Sequence, residues 1–298
     1  MNYQNNNRGF ALLLLAGFLY ATYGVFSRII GTDIATFYQY TTRAALVIVL
    51  LLTLLFFTSK TKAKRVNPKH YKWILLQGIA AGLLTPTFFL SVNNLPLGTT
   101  IFLFYALGTI VNYILGSIVH HEKITSVKAV SLILGVIGVF LMSMESIKLN
   151  QPLYIIYALL SGVFFGLNLT SVKVLSNDYP NLQINLFNWT GVLIVSLLFS
   201  VLFSEAWTVP VVNDQWIANI ALAIVSFCAS MSTVTGFKYM ELQKGSIVLL
   251  SELVFGVLIG WLLYKEIPTL LLALGSIFIL SALILPNLKI IQDKLSTK

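Results

Sequence analysis

Ten apolar stretches, each about twenty residues long and separated by short polar breaks, constrain this chain more than any other feature. They fall near 10–30, 35–57, 73–91, 98–119, 127–144, 152–173, 182–204, 215–236, 245–264 and 268–286. A helix of about 20 apolar residues crosses the roughly 30 Å of hydrocarbon in a bilayer. Inside that hydrocarbon the backbone must satisfy its own amides and carbonyls, which a helix does. Composition closes off the alternatives. Of the 298 residues, 57% are apolar and only 10% are charged, against about 25% charged in an ordinary soluble domain. So few charges do not cover the surface of a soluble globule, and so many apolar residues exclude a disordered chain. The expectation is an all-α polytopic membrane protein of ten transmembrane helices, with its loops too short to hold a soluble domain.

The net charge is +9. Cytoplasmic loops of membrane proteins collect Lys and Arg, so the excess needs no nucleic-acid partner. The loop after the second stretch, SKTKAKRVNPKHYK, carries Lys60, Lys62, Lys64, Arg65, Lys69 and Lys72. Placing it in the cytoplasm puts both termini there, together with fifteen of the nineteen basic residues, including Lys289, Lys294 and Lys298. Arg28, Lys148 and Lys265 then lie outside and Arg43 lies within a span. No small-residue cleavage site follows the first stretch, which is read as a retained helix. Cys228 is the single cysteine and sits in an apolar run, so no intrachain disulfide forms and the side chain is expected in the core. His70, His120 and His121 are too few and too scattered for a metal site. His120 and His121 are expected to be solvated, and no cofactor is implied.

The halves of the chain repeat. At an offset of 145, Gly17, Arg28 and Asp33 fall on Gly162, Lys173 and Asp178. At an offset of 144, Gly116, Glu122 and Thr125 fall on Gly260, Glu266 and Thr269, within LGSIVHHEKIT and IGWLLYKEIPT. This divides the chain into five-helix units at 10–145 and 152–290. Five is odd, so the second unit enters the membrane inverted, with Glu122 cytoplasmic and Glu266 external. Inverted repeats related by an in-plane pseudo-twofold axis are a recurring design of secondary transporters.

Three strings carry a resemblance to a known family. They are FYQYTTRAALVIVLLL around Arg43, HHEKITSVKAVSLILGVIGVFLM after the fourth span, and LLSELVFGVLIGWLLYKEIPT around Glu252. They resemble the drug/metabolite transporter superfamily and, within it, the EamA-type ten-helix transporters. The resemblance implies a multi-pass transporter of the plasma membrane, with a central cavity between the repeats and the last helices of each half at the periphery. Many relatives export amino acids and related metabolites; others move nucleotide sugars, phosphorylated sugars or S-adenosylmethionine. Leu253 stands where the family often has proline, which puts a helix break after Glu252 in question.

Glu252 lies inside the ninth span. A carboxylate in hydrocarbon is costly and faces the bundle interior or a partner. It is the candidate for a substrate-amine contact or, if transport is proton-coupled, for the proton site. Arg43, in the second span, either binds a substrate carboxylate or pairs with Glu252 or Asp33. Tyr20, Tyr23, Gln39, Tyr105, Asn168 and Ser230 are the further substrate-binding candidates, since polar side chains within spans usually face the bundle interior. The repeat mates Arg28 and Lys173, each followed by an aspartate, Asp33 and Asp178, either snorkel to the interface or form gates at the two mouths. Pro86 is expected to kink the third span. The pairs Gly78–Gly82, Gly162–Gly166 and Gly256–Gly260 are expected to let helices pack closely.

The function these residues point to is alternating-access transport of small metabolites such as amino acids, in a lipid bilayer, by a monomer or homodimer. The alternatives are a nucleotide-like or anionic solute such as S-adenosylmethionine or a nucleotide sugar, and, behind those, a channel or scaffold. An enzyme is not expected, because neither HExxH nor GxSxG occurs and no nucleophile and base meet at one depth.

Overall fold

The computed structural model describes residues 3–57 and 63–287. Lys60 and Lys62 of the basic loop, and Lys289, Lys294 and Lys298, lie outside the described residues. Twelve α-helices follow one another: α1 (Tyr3–Ala21), α2 (Tyr23–Ile30), α3 (Thr36–Phe57), α4 (Tyr71–Val92), α5 (Leu97–His120), α6 (Ser126–Ser143), α7 (Pro152–Leu175), α8 (Asn181–Leu202), α9 (Asp214–Tyr239), α10 (Leu242–Leu249), α11 (Ser251–Tyr264) and α12 (Leu270–Ile284). They make ten segments long and apolar enough to cross a membrane, with α1 and α2 sharing the first and α10 and α11 the ninth.

Local chemistry repeats between the halves. The threonines one repeat apart are both N-caps: the Thr125 hydroxyl accepts from the Lys128 amide and the Thr269 hydroxyl from the Leu272 amide. A capping oxygen satisfies one of the four free amides of a first turn. The preceding helices end alike. His121 and Lys265, also one repeat apart, adopt left-handed backbone at φ 54° and 56°, and the amides of Glu122 and Glu266 return to the carbonyls of Gly116 and Gly260. This left-handed closure is a common helix stop, here built twice without glycine.

Packing obeys the same symmetry. Helix α7 packs against α4 and α5, and its repeat mate α1 packs against α9 and the α10–α11 pair. Helices α3 and α8, mates of one another, pack together, as do the peripheral mates α6 and α12. The glycine mates Gly17 and Gly162 sit at equivalent crossings. A Cβ on Gly162 would meet the Phe104 carbonyl and Gly108 of α5, and one on Gly17 would meet Ser251 and the Glu252 amide. The inverted five-helix repeat is therefore present in the contacts as well as in the sequence.

Two sequence expectations change. Gly78 and Gly82 pack on Gly191 of α8, and Gly166 on Val111, but a Cβ on Gly256 would meet nothing within 4 Å and one on Gly260 would meet only the Glu266 carboxylate. The third glycine pair therefore serves no helix crossing. Cys228 is exposed on α9 rather than buried in the core. Pro86 lies inside helix α4, and the Thr87 hydroxyl donates to the carbonyls of Leu83 and Leu84 beside it. The interruptions occur elsewhere, at Thr22 and at Leu250, without proline. The ninth span breaks just before Glu252, although Leu253 replaces the family's proline. The broken spans pack against each other, whereas their mates, α7 and α5, are continuous.

Candidate functional site

A cavity of about 340 Å³ lies between the repeats, walled by α1 to α5 and by α7 to α11. Its charged groups are Arg43 and Glu252. The Glu252 side chain enters beside the break at Leu250. Its Oε2 accepts a hydrogen bond from the Tyr105 hydroxyl at 2.5 Å, and the Tyr20 hydroxyl bonds Thr233 Oγ1 at 3.1 Å on the same wall. Arg43 is 1% exposed. Its guanidinium lies 4.1 Å from the ring centroid of Tyr40 and 5.7 Å from that of Tyr23, a geometry in which the ring face attracts the cation. Its Nε has no hydrogen-bond partner, and among the described residues no carboxylate pairs with it. The pairing with Glu252 or Asp33 weighed from the sequence is not made; Asp33 is exposed. The cavity thus holds one acid and one base, each supported by tyrosines and neither neutralised by the other.

The rest of the wall is aromatic and amide. Phe104 packs edge-on to Tyr105 and against Phe165. Asn168 donates to Asn188 Oδ1 at 2.7 Å, and the Trp189 indole donates to Ser230 Oγ at 3.1 Å. Tyr20, Tyr23, Tyr105, Asn168 and Ser230 all line the cavity. Gln39 does not: it is buried one residue before Tyr40 on α3 and points elsewhere.

At the bundle face that carries the N-terminus, Glu122 latches the first repeat to the second, and Lys173 ties α7 to α9 within the second. Lys173 is 7% exposed and donates from Nζ to the carbonyls of Phe237 at 2.7 Å and Met240 at 2.5 Å, at the end of α9. Glu122 accepts from the first amides of α10, Leu242 at 2.6 Å and Gln243 at 2.9 Å. Cations suit helix C-termini and carboxylates suit N-termini, because the free carbonyls and amides there carry the helix dipole. At the opposite face the mates do something else. Arg28 pairs with Glu266 at 2.8 Å and stacks over Tyr264 at 4.2 Å, with both charged side chains about half exposed. The first amides of α5, the mate of α10, receive no side-chain cap. The aspartates do not join their basic neighbours: Asp178 faces His70 at 3.8 Å and Asp33 is exposed.

The EamA-like transporter family model matches residues 7–144 and again 152–288. The chain belongs to the EamA-like transporter family. This protein is therefore a multi-pass membrane transporter of small molecules. A solved crystal structure of a protein superposes on it with a TM-score of 0.78 at 15% identity, covering 95% of this chain and 98% of that one, which shows a shared fold. No curated protein matches it.

Several functional groups of this EamA-like protein escape a sequence reading. Asn185 lines the cavity with a buried, unpartnered Oδ1; its position one turn before Asn188 and Trp189 on α8 was the available signal. Phe88, Phe104 and Phe165 line it as well, but in a chain this apolar a phenylalanine carries no signal of its own. Glu122 was visible as the repeat mate of Glu266, but its grip on the Leu242 and Gln243 amides was not.

Proposed function

We propose that this protein exports amino acids, or similar zwitterions with an apolar or aromatic side chain, across the plasma membrane by alternating access. The observation that carries the reading is the unpaired coexistence of Arg43 and Glu252 in one aromatic cavity. Arg recognises carboxylates bidentately, and a buried carboxylate suits an ammonium group. A volume of about 340 Å³ lies near the lower end of the range for ligand pockets, about 300–1,000 Å³. It suits a single small solute better than a nucleotide sugar. The tyrosines and phenylalanines offer faces for the solute's side chain.

In this reading the termini are cytoplasmic, the buried contacts of Lys173 and Glu122 close the cytoplasmic mouth, and the external mouth is held only by the exposed Arg28–Glu266 pair. The opposite state forms when Arg28 and Glu266 take up the roles their mates now play, on the ends of α4 and α5. The breaks at Thr22 and Leu250, in the first and ninth spans that pack together, are where the helices bend between the two states.

Thermal unfolding of the purified protein against amino acids, polyamines, nucleosides, S-adenosylmethionine and sugar phosphates tests the substrate class. A ligand at about 100 times its Kd stabilises by about 2.7 kcal/mol. A shift from amino acids, lost in both Arg43→Gln and Glu252→Gln, is expected, followed by saturable counterflow in proteoliposomes. A shift from S-adenosylmethionine or sugar phosphates alone overturns the zwitterion assignment.

A further inference from the structure

A second cavity, of about 850 Å³, opens at the N-terminal face, outside the central site. Five lysines line it: Lys123, Lys128, Lys173, Lys238 and Lys244. Only two carboxylates join them, and both are occupied. Glu122 holds the Leu242 and Gln243 amides. Glu241 lies 2.9 Å from Lys128 and 3.6 Å from Lys244. Among the described residues, Lys123, Lys173 and Lys238 have no carboxylate partner. Lys173 is buried against carbonyls, whereas Lys123 and Lys238 project as exposed side chains at the rim. The cleft is therefore an anion-attracting pocket with two free ammonium groups at its mouth.

The repeat does not require this pocket. One repeat on from Lys123 and Lys128 stand Ile267 and Leu272, and Pro96 occupies the N-cap position before α5 that Glu241 occupies before α10. Lys123 and Lys128 are additions to one face alone. The remaining wall has a polar side, with His120, His121, Thr125 and Asn177, and an apolar side: Val127, 45% exposed, with Leu285 and Pro286 at the end of α12. It continues onto the exposed Val130 and Ile133 of peripheral helix α6. A basic pocket at the helix ends with an apolar runway down the lipid-facing flank fits a charged headgroup carrying acyl chains. Basic pockets between transmembrane helices bind anionic lipid headgroups by this chemistry.

We propose that the cleft binds the phosphate of an anionic phospholipid, with Lys123 and Lys238 as its contacts. The latch groups Lys173 and Glu122 form its back wall, so the bound lipid screens the surplus positive charge there and holds the latch shut. The proposal concerns a site separate from the central cavity and stands whatever solute that cavity carries.

The test titrates the protein in neutral detergent with phosphatidylglycerol, with phosphatidylcholine of the same chains, and with inorganic phosphate, reading Tm. Phosphatidylglycerol is expected to raise Tm where phosphatidylcholine does not. Each lysine near a membrane surface contributes about 1 kcal/mol to anionic lipid binding. The double variant Lys123→Gln/Lys238→Gln is therefore expected to need about thirty-fold more phosphatidylglycerol for the same shift, with its Tm in phosphatidylcholine unchanged. Equal shifts from the two lipids, or an unaltered phosphatidylglycerol response in the double variant, overturn the site. Inorganic phosphate reproducing and displacing the lipid's effect overturns the lipid as its source.

Discussion

Glu122 and Glu266 hold the same place in the two repeats, after the same left-handed helix stop and before the same threonine cap. Yet Glu122 is 9% exposed and grips two backbone amides across the repeat boundary, while the Glu266 side chain is 54% exposed and grips one arginine. Lys173 and Arg28 differ in the same way, the one sealed onto helix-end carbonyls and the other half in solvent. Equivalent residues in unequal surroundings show that the asymmetry lies beyond the shared helix stop and threonine cap: in how the repeats dock around Glu122 and Glu266, and in broken first and ninth spans whose mates α7 and α5 are continuous.

The largest expected effect comes from breaking the latched end. Hydrogen bonds to a charged group contribute about 1.5–3 kcal/mol each, and Glu122 makes two. Glu122→Ala should lower unfolding stability by about 3–6 kcal/mol, whereas Glu266→Ala should cost under about 1 kcal/mol, the range for an exposed ion pair. Denaturation of both variants in one detergent measures the contrast. Equal losses would mean that the two ends are equally latched in solution.

Lys173→Met comes next. It removes the ammonium from the carbonyls of Phe237 and Met240 and keeps a chain of similar length, at an expected cost of about 2–3 kcal/mol. It should also raise labelling of a Ser230→Cys reporter from the N-terminal face, in a background where the exposed Cys228 is replaced by serine. Arg28→Met should leave that labelling unchanged.

A smaller effect is pH-dependent and belongs to the latched face alone. Burial raises the pKa of Glu241, but the hydrogen bond from Lys128 and the charges of Lys244 and Lys128 outweigh it, leaving the carboxyl below its ordinary value. A carboxyl depressed by folding contributes stability that is complete above its unfolded pKa and lost as pH falls through the folded one. Stability should therefore decline below the ordinary carboxylate range by up to about 1 kcal/mol from this pair, and Lys128→Met should flatten that part of the profile.

The contrast between the two ends also divides what could be read beforehand from what could not. Ten spans, the inverted repeat and the equivalence of Arg28 with Lys173 and of Glu122 with Glu266 are written in apolar runs and residue spacings, which survive in any docking of the repeats. Arg43, Glu252 and the tyrosines were legible because a polar group in hydrocarbon is conspicuous. The docking itself was not legible. Whether Glu122 meets an amide or Glu266 meets Arg28 depends on rigid-body placement, to which both repeats contribute and neither encodes alone. Gln39 failed for a related reason: polarity marks a residue as interior, but on α3 it shares the interior with Tyr40 and Arg43, and only the rotation of the helix decides which of them reaches the cavity. The break at Leu250 lacked its usual proline, so packing against α1 rather than local chemistry marks it.

The smallest stability effect carries the most information about transport. Arg28 and Glu266 form an exposed pair, screened by salt within a Debye length of about 8 Å at physiological ionic strength, so Glu266→Gln should barely change Tm. If the mouth between Arg28 and Glu266 is to close as the N-terminal face does, Glu266 must leave Arg28 and accept from the first amides of α5, which receive no side-chain cap at present. Glutamine has the same length but gives those amides a weaker acceptor, and one of its two positions is a donor. Counterflow by Glu266→Gln should therefore slow several-fold while substrate affinity in the thermal assay stays at the parent value. Glu266→Asp, which keeps the charge but falls short by one methylene, should lie between the two. A normal rate in Glu266→Gln would mean that this mouth closes by contacts Glu122 does not foreshadow, and the equivalence of the two ends would then stop at the fold.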